Sequence, residues 1–211
     1  VVIQSGSAII CDWAIEVAAI LQTFYSGMEG GNALADLLFG RVNPSGRLPF
    51  SVATDESAYP SFDPTSDVAD YDELHGYTRM AAHRAETQFS FGHGLSYTQF
   101  DHRALRVRRV DGGLDVHVGV SNMGDRAGAD VVQLYVGFPN RIVERPAPLL
   151  KGFERVELNA GERKSVSIFI ADSDLHYWDE VIHEWRMEAG THTVHLCSQA
   201  SQPTLSQNVD L

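Results

Sequence analysis

The 211-residue chain is 44% hydrophobic and 21% charged, which is typical of a globular protein. Its net charge of −12 argues against nucleic acid and anionic membranes as partners, because both bind basic surfaces. No apolar run approaches the roughly 18 residues of a membrane-spanning helix. The opening VVIQSGSAII lacks the charged start of a signal peptide and an initiator methionine. We therefore expect a piece of a longer protein, whose compartment is unknown from this sequence.

Charge is distributed unevenly along the chain. Residues 1–102 carry 4 Arg, no Lys and 13 acids, a net −9, whereas residues 103–211 carry 12 bases and 15 acids, a net −3. The change near residue 102 indicates two structural units. Cys11 and Cys197 lie in different units, and two buried thiols are the simpler interpretation, with a disulfide between them as the alternative.

The first unit alternates between strand-like and helix-like segments. Val1–Gln4 predicts a short buried strand that ends at a Ser-Gly-Ser turn. The apolar segment AAILQTFY fits a helix or a strand, and its length and the Ser26-Gly27 stop favour a second, parallel strand at 19–24. Residues 29–39 predict a helix that ends at Gly40, since their apolar residues fall on one face: Ala33, Leu34, Leu37 and Leu38. This order of elements is typical of an α/β sheet.

A polar segment separates this unit from a second unit, in which apolar and polar residues alternate with a period of two. Residues 55–73 hold seven acids, no base and two prolines, which predicts a solvated loop or linker. From Arg103 onward apolar and polar residues alternate in seven short runs, ALRVRRV, GLDVHVGVSN, DVVQLYVGF, KSVSIFIA, HEWRMEA, THTVHLCS and LSQNVDL. Seven short strands predict a β-sandwich of immunoglobulin or fibronectin type. We expect Leu134, Phe169 and Trp185 in its core.

The glycine-rich loop at residues 27–32 is not a nucleotide site. It lacks the Lys-Ser/Thr of a Walker loop and the G-x-G-x-x-G fingerprint, and the carboxylate of Glu29 would repel a phosphate at the helix start. Both this loop and the Ser5 turn follow predicted parallel strands, so both should line the same sheet edge, where ligands bind in α/β proteins. Ser5, Met28 and Glu29 are therefore candidates for the rim of a substrate pocket.

Other catalytic chemistry finds no support in the residues. The histidines and acids do not match zinc or calcium spacings, and no Gly-x-Ser-x-Gly elbow is present. We therefore predict no metal, no cofactor and no catalytic residue. Aromatic side chains more often pack in a protein core than stack on sugars. Tyr177 and Trp178 are adjacent, so they should face opposite sides of a strand and not form a row of exposed aromatic residues.

A long series of motifs nevertheless resembles one known family. GMEGGNALADLLFGRVNPSGRLPFS, HGYTRM, FSFGHGLSYTQF, VGVSNMGDRAGADVVQLYVGFP, LKGFERVELNAGE and EWRMEAGTHTV are similar, in order, to the C-terminal part of glycoside hydrolase family 3, which includes β-glucosidases and β-xylosidases. The resemblance implies α/β plus all-β architecture. Residues 1–62 would be the C-terminal part of an α/β sandwich domain, 63–102 a connecting segment and 103–211 a fibronectin type III-like domain.

The resemblance also implies retaining hydrolysis by two carboxylates. The nucleophilic Asp belongs to an N-terminal barrel and the acid/base residue to a segment before Val1, and no residue of 1–211 matches either motif. Glu29 is therefore not expected to be the catalyst. The expected partner is an oligosaccharide or glycoside held through the barrel, and the family makes a secreted or periplasmic location an option. The alternative is a stand-alone carbohydrate-binding or structural β-sandwich.

Overall fold

The computed structural model describes residues 1–68, 72–139, 142–143, 145 and 147–211. Asp70, one of the seven acids of the predicted polar loop, lies outside the described residues. In the part that is described, no helix is long and apolar enough to cross a membrane.

The N-terminal portion contains a small parallel sheet and one helix. Strands β1 (Val2–Ile3) and β2 (Leu21–Gln22) pair in parallel, as predicted, with a 3-10 helix at Asp12–Glu16 between them. The prediction that β1 is buried is wrong, since Val1 and Val2 are 56% and 43% exposed. Helix α1 (Gly30–Leu38) follows within one residue of the predicted bounds. The strand β3 (Val52–Ala53) comes next and lies outside the parallel pair.

The apolar face of α1 is only partly covered by the described part of the chain, since Leu34 and Leu37 are half-buried and Ala33 is exposed. Leu38 is 61% exposed and Phe39 is 80% exposed. Among the described residues before Phe100, the buried hydrophobic residues are Cys11, Val52, Ala53 and Met80. The N-terminal portion therefore has very little core of its own.

The connecting region folds back onto both of its neighbours. After a 3-10 helix at Glu56–Ala58 come α2 (Gly76–Ala82) and β4 (Thr87–Phe89), and β4 pairs antiparallel with β3. Asp55 caps this 3-10 helix, since its carboxylate accepts from the amide N–H of Ser57 at 2.9 Å. Such capping satisfies a donor that the helix itself leaves free.

A β-sandwich occupies the rest of the chain. Its elements in order are β5 (Phe100–Val110), β6 (Gly113–Asn122), β7 (Gly128–Gly137), β8 (Leu149–Leu158), β9 (Arg163–Ala171), α3 (Asp172–Leu175), β10 (His176–Asp179), β11 (Glu184–Met187), β12 (Thr191–Gln199) and β13 (Gln202–Asp210). One antiparallel sheet has the order β5-β6-β9 and the other β13-β12-β7-β8, while β10 and β11 form a separate hairpin. Two antiparallel sheets of three and four strands are the fibronectin type III arrangement.

The hydrophobic core lies between these two sheets. Successive strand residues point to opposite faces, so every second residue of β6 and β7 turns inward. The fully buried members include Leu114, Val116, Val120, Val132, Leu134, Val136, Ile170 and Leu196. The prediction of a sandwich, and of Leu134 in its core, is confirmed.

Two of the three predicted core residues are wrong. Phe169 is 56% exposed because its neighbours Ile168 and Ile170 face the core, so the alternation places Phe169 on the outer surface. Trp185 is 65% exposed because the segment HEWRMEA contributes to the β10–β11 hairpin and not to either sheet. The seventh sandwich strand is instead β8, whose sequence LLKGFERVEL lacks a clear alternation and was not among the predicted strands.

Candidate functional site

The loops after β1 and β2 lie next to each other, as the parallel pairing requires. The side-chain amide of Gln22 donates to the carbonyl oxygen of Ser5 at 2.9 Å. The hydroxyl of Ser5 donates to the carbonyl oxygen of Ser7 at 2.6 Å and closes the turn. The Ser5 loop is therefore held to the end of β2 by side-chain as well as main-chain contacts.

The ring of Tyr25 lies against the Ser5 turn at Gly6. A Cβ atom added to Gly6 would meet Cε2 of Tyr25 at 2.7 Å, closer than real side chains approach. Only glycine at position 6 lets the tyrosine ring lie against the turn. The ring itself is 78% exposed, so it forms part of the surface at this edge.

Met28 and Glu29 lie at the start of α1, on the same edge. Met28 is 100% exposed. Glu29 is the residue before the first helical position, and its carboxylate accepts from the side-chain amide of Asn32 at 2.7 Å. Among the described residues, no hydrogen bond joins Ser5 to either of these two. The structure places all three at one sheet edge without bringing them into contact.

The residues at this sheet edge lie at the protein surface and are not arranged as a catalytic centre. Glu29 is solvent-exposed and bonded to a neutral amide, which is unlike the buried carboxyl pair of a glycosidase centre. Groups of three or more His, Cys, Asp and Glu residues that could hold a metal are absent from the part of the chain that is described. Cavities of about 270 Å³ and 260 Å³ lie on the sandwich, at β8–β9 and between α2 and β12, and these three residues line neither.

A buried ion cluster joins the N-terminal portion to the sandwich. Asp130 on β7 accepts from Arg47 Nη2 at 2.6 Å and from His102 Nε2 at 2.7 Å, and all three side chains are nearly buried. Burial raises the pKa of the Asp130 carboxyl, but the hydrogen bond and charge of His102 and the charge of Arg47 outweigh this and hold the pKa below its ordinary value. The carboxylate is therefore ionised and paired.

Further contacts extend this joint along the outer face of the four-stranded sheet. The amide of Asn43 donates to the carbonyl oxygen of Ala127 at 3.2 Å, and its oxygen accepts from the N–H of Tyr97 at 2.9 Å. Gln133 donates to the carbonyl oxygen of Gly92 at 3.1 Å. Sequence reasoning missed these residues, because partners more than forty positions apart leave no local signal.

Burial keeps the two cysteine thiols and the hydroxyl of Tyr77 in their neutral forms by raising their pKa values. Cys11 and Cys197 are both free and buried, so the interpretation as two thiols is confirmed over a disulfide between them. Burial raises the pKa of the Cys197 thiol to about 12, which keeps it protonated and unreactive at neutral pH. Burial also raises the pKa of Tyr77, whose hydroxyl oxygen accepts from the N–H of Leu150 at 3.0 Å.

Comparison with known proteins matches both parts of this architecture. Residues 1–97 match the model of the glycosyl hydrolase family 3 C-terminal domain, and residues 130–200 match the fibronectin type III-like domain. The chain is 40% identical, over 100% of its length, to a β-glucosidase of Rhizobium radiobacter. The chain belongs to glycoside hydrolase family 3. Its 211 residues correspond to the C-terminal portion of these family 3 β-glucosidases, as the motifs indicated.

The family 3 relatives are considerably longer than this chain. The chain spans 27% of the Rhizobium radiobacter protein and 29% of the thermostable β-glucosidase B of Acetivibrio thermocellus, to which it is 36% identical over 99% of its own length.

Solved family 3 structures have the same fold. The β-D-glucoside glucohydrolase of Trichoderma reesei superposes with a TM-score of 0.93 at 26% identity, covering 99% of this chain and 33% of the glucohydrolase. The β-glucosidase DesR of Streptomyces venezuelae, solved in complex with D-glucose, superposes with a TM-score of 0.91 at 34% identity. The superposition covers 100% of this chain and 28% of the DesR chain. These likenesses confirm an α/β portion followed by a β-sandwich.

Proposed function

We propose that the chain is the non-catalytic C-terminal portion of a retaining β-glycosidase of β-glucosidase type. In this proposal the catalytic carboxylates belong to a barrel and to segments that precede residue 1 in the family. The chain contributes one wall of the sugar pocket and a supporting sandwich. The substrate is a terminal β-linked sugar of an oligosaccharide or glycoside.

The observation that carries the proposal is the uncovered apolar surface of the N-terminal portion. Ile15 is 92% exposed, Met28 100% and Phe39 80%. Isolated exposed apolar residues are common, but here they accompany a two-stranded sheet and a helix with almost no core. A surface of this kind is expected where the rest of an α/β sandwich domain and a catalytic barrel pack.

The pocket rim is the part of the proposal that concerns individual residues. The Ser5 turn and the loop with Met28 and Glu29 lie beyond the carboxyl ends of two parallel strands, where α/β sheets bind ligands. Exposed Met28 offers an apolar contact, and Glu29 offers acceptors for sugar hydroxyl groups. In this role all three contact substrate and none performs the bond cleavage.

The first test is an assay of the chain alone. Purified residues 1–211 should release no 4-nitrophenol from 4-nitrophenyl β-D-glucoside above the buffer rate. Turnover that co-elutes with the chain and survives a second purification step would overturn the non-catalytic assignment.

A chimera gives the positive arm of the test. This chain should restore turnover when it replaces the matching portion of the Rhizobium radiobacter β-glucosidase, to which it is 40% identical. In that chimera Met28→Ala should raise KM several-fold with kcat nearly unchanged. The matched control Met123→Ala, at a residue 54% exposed in the loop after β6, should leave KM unchanged. A folded chimera without activity, or equal effects of the two substitutions, would contradict the proposal.

A further inference from the structure

Two tryptophans lie side by side on the exposed β10–β11 hairpin. Trp178 and Trp185 are direct cross-strand partners, with ring centroids 5.5 Å apart and ring planes at 67°. Their exposed fractions are 45% and 65%. Because cross-strand partners point to the same side of a hairpin, the two indole rings form one aromatic surface that faces solvent.

This surface lies at the end of the sandwich opposite the ion cluster of Asp130. Strand β7 starts at Gly128, next to the contact between Asn43 and Ala127, and its ten residues run about 30 Å to the opposite end at roughly 3.3 Å each. There Phe138 packs against His192 with ring centroids 5.4 Å apart, and His192 lies five residues after β11 ends. Among the described residues, no hydrogen bond, ion pair or ring contact joins hairpin residues 176–187 to residues 1–99.

The side chains at this surface suit a ligand with C–H faces and hydroxyl groups. A tryptophan ring packs its face against apolar groups while its indole N–H donates a hydrogen bond. Within the described residues neither indole N–H has a protein acceptor, so both are available to a ligand. His183, with its ring centroid 6.3 Å from that of Trp178, adds another polar group beside the rings. A pyranose ring presents the complementary arrangement, with an apolar face surrounded by hydroxyl groups.

Charge and area exclude two other kinds of ligand. The hairpin segment 176–187 carries three acids, at 179, 180 and 184, against one arginine, so it disfavours an anionic polymer. At these exposures the two rings offer roughly 200–300 Å² of apolar area, if a whole tryptophan offers about 250 Å². A stable protein interface needs about 800 Å² from each partner. Val181 and Ile182 at the hairpin turn, 89% and 47% exposed, enlarge this apolar area but do not bring it to that size. The surface is therefore too small for a stable protein interface and unsuited to an acidic glycan.

We propose that Trp178 and Trp185 form an accessory binding surface for neutral polysaccharide chains. It is separate from the pocket rim at Ser5, Met28 and Glu29 and performs no chemistry. Its effect is to hold the chain near polymeric carbohydrate. This binding does not depend on whether the chain belongs to an active enzyme, so the two proposals can fail independently.

Affinity electrophoresis of residues 1–211 in native gels tests the proposal. The gels contain soluble mixed-linkage β-glucan, neutral arabinoxylan or polygalacturonate, and a gel without polysaccharide gives the reference mobility. The wild-type chain should be retarded by at least one of the neutral polymers and not by polygalacturonate. Trp178→Ala and Trp185→Ala should each weaken the apparent affinity at least five-fold.

The matched control is Phe153→Ala, which removes an aromatic residue 66% exposed on β8 of the same sandwich. It should bind as the wild type does, and Trp178→Phe should recover part of the affinity if Trp178→Ala disturbs folding. Absence of retardation of the wild type, equal retardation of wild type and both alanine variants, or stronger retention by polygalacturonate would each overturn the proposal. So would size-exclusion elution that shows a dimer broken by Trp185→Ala without any retardation by the neutral polymers, since that identifies a protein interface.

Discussion

The sandwich and the N-terminal portion differ in what holds them together. In the sandwich, Leu114, Leu134 and Ile170 are fully buried between two sheets that both belong to this chain. In the N-terminal portion the helix α1 exposes Leu38 and Phe39, and two short strands form its parallel sheet. The first region carries its own core, whereas the second supplies one side of a core. Belonging to the same chain does not make two regions equally stable.

Hydrogen exchange should show this difference most strongly. Amides of β6 and β7 should exchange only on global unfolding, while those of α1 and β2 should exchange at least 1,000-fold faster through local opening. Such a factor corresponds to about 4 kcal/mol, since each tenfold change is about 1.4 kcal/mol. The measurement is exchange followed by NMR or mass spectrometry, together with thermal unfolding. Uniform protection, or a single sharp transition with a well-dispersed spectrum for residues 1–62, would contradict the contrast.

A pair of leucine substitutions tests the same contrast through stability. Leu134→Ala should lower the free energy of unfolding by about 3 kcal/mol or more, because it removes a fully buried side chain and leaves a cavity. Leu38→Ala, at a residue 61% exposed, should change it by no more than about 0.5 kcal/mol. Urea unfolding followed by circular dichroism measures both. Similar losses would mean that α1 is packed in solution.

The ion cluster at the joint tests whether the two regions are coupled. Asp130→Ala leaves Arg47 and His102 nearly buried without their acceptor, and removing one partner of such a cluster costs about 3 kcal/mol. The control Asp36→Ala breaks the exposed pair with Arg41 and should cost at most about 0.5 kcal/mol. If Asp130→Ala also speeds amide hydrogen exchange at β3, the ion cluster couples the N-terminal portion to the sandwich. A decrease of less than about 1 kcal/mol in the free energy of unfolding would show that solvent already reaches the ion cluster.

Substitution of Gly92 at the same joint should have a smaller effect, and Gly31 in α1 provides the control. Gly92 has a φ of +81°, and a Cβ atom there would lie 2.1 Å from Oε1 of Gln133. We expect Gly92→Ala to destabilise by roughly 2 kcal/mol, from left-handed strain and the displaced side chain. Gly31→Ala, in α1 with open space around it, should stabilise by about 0.5–1 kcal/mol. The denaturation midpoint should fall for Gly92→Ala and rise for Gly31→Ala relative to the wild type. An unchanged midpoint for Gly92→Ala would contradict the prediction.

Acid should weaken the joint through Asp130. Because the folded pKa of this carboxyl is lower than its unfolded value of about 3.9, the ionised group stabilises the fold above that value. The contribution is lost as the pH falls through the folded pKa. Between pH 5 and pH 2 the wild type should therefore lose stability more steeply than Asp130→Asn, by up to about 1.4 kcal/mol per pH unit. Parallel profiles would show that Asp130 is not the group responsible.

Sequence reasoning succeeded where a signal is local or periodic. The alternation in GLDVHVGVSN and DVVQLYVGF predicted β6 and β7 and placed Leu134 inside. Leucine spacing predicted α1 to within one residue, and long motifs indicated the family. The domain boundaries at 62 and 102 and the pocket-rim role of Ser5, Met28 and Glu29 stay predictions.

It failed where the outcome depended on which neighbour a segment found. Phe169 and Trp185 are apolar, yet one lies on the outer face of β9 and the other on a hairpin outside both sheets. Adjacent Tyr177 and Trp178 do face opposite sides, but the cross-strand partner that completes the aromatic pair is seven residues further along the chain.

By itself, then, the sequence determined the two-part architecture, the strand periods and the family, because these depend on residues within a few positions of one another. The tertiary structure alone decided that Asp130 pairs with Arg47 and His102, that Gly92 admits Gln133, and that two tryptophans share one exposed surface. Each of these contacts follows from strand register and from packing between distant segments. Strand register and long-range packing are not encoded in a local sequence pattern. The contacts that depend on them therefore form only when the whole chain folds.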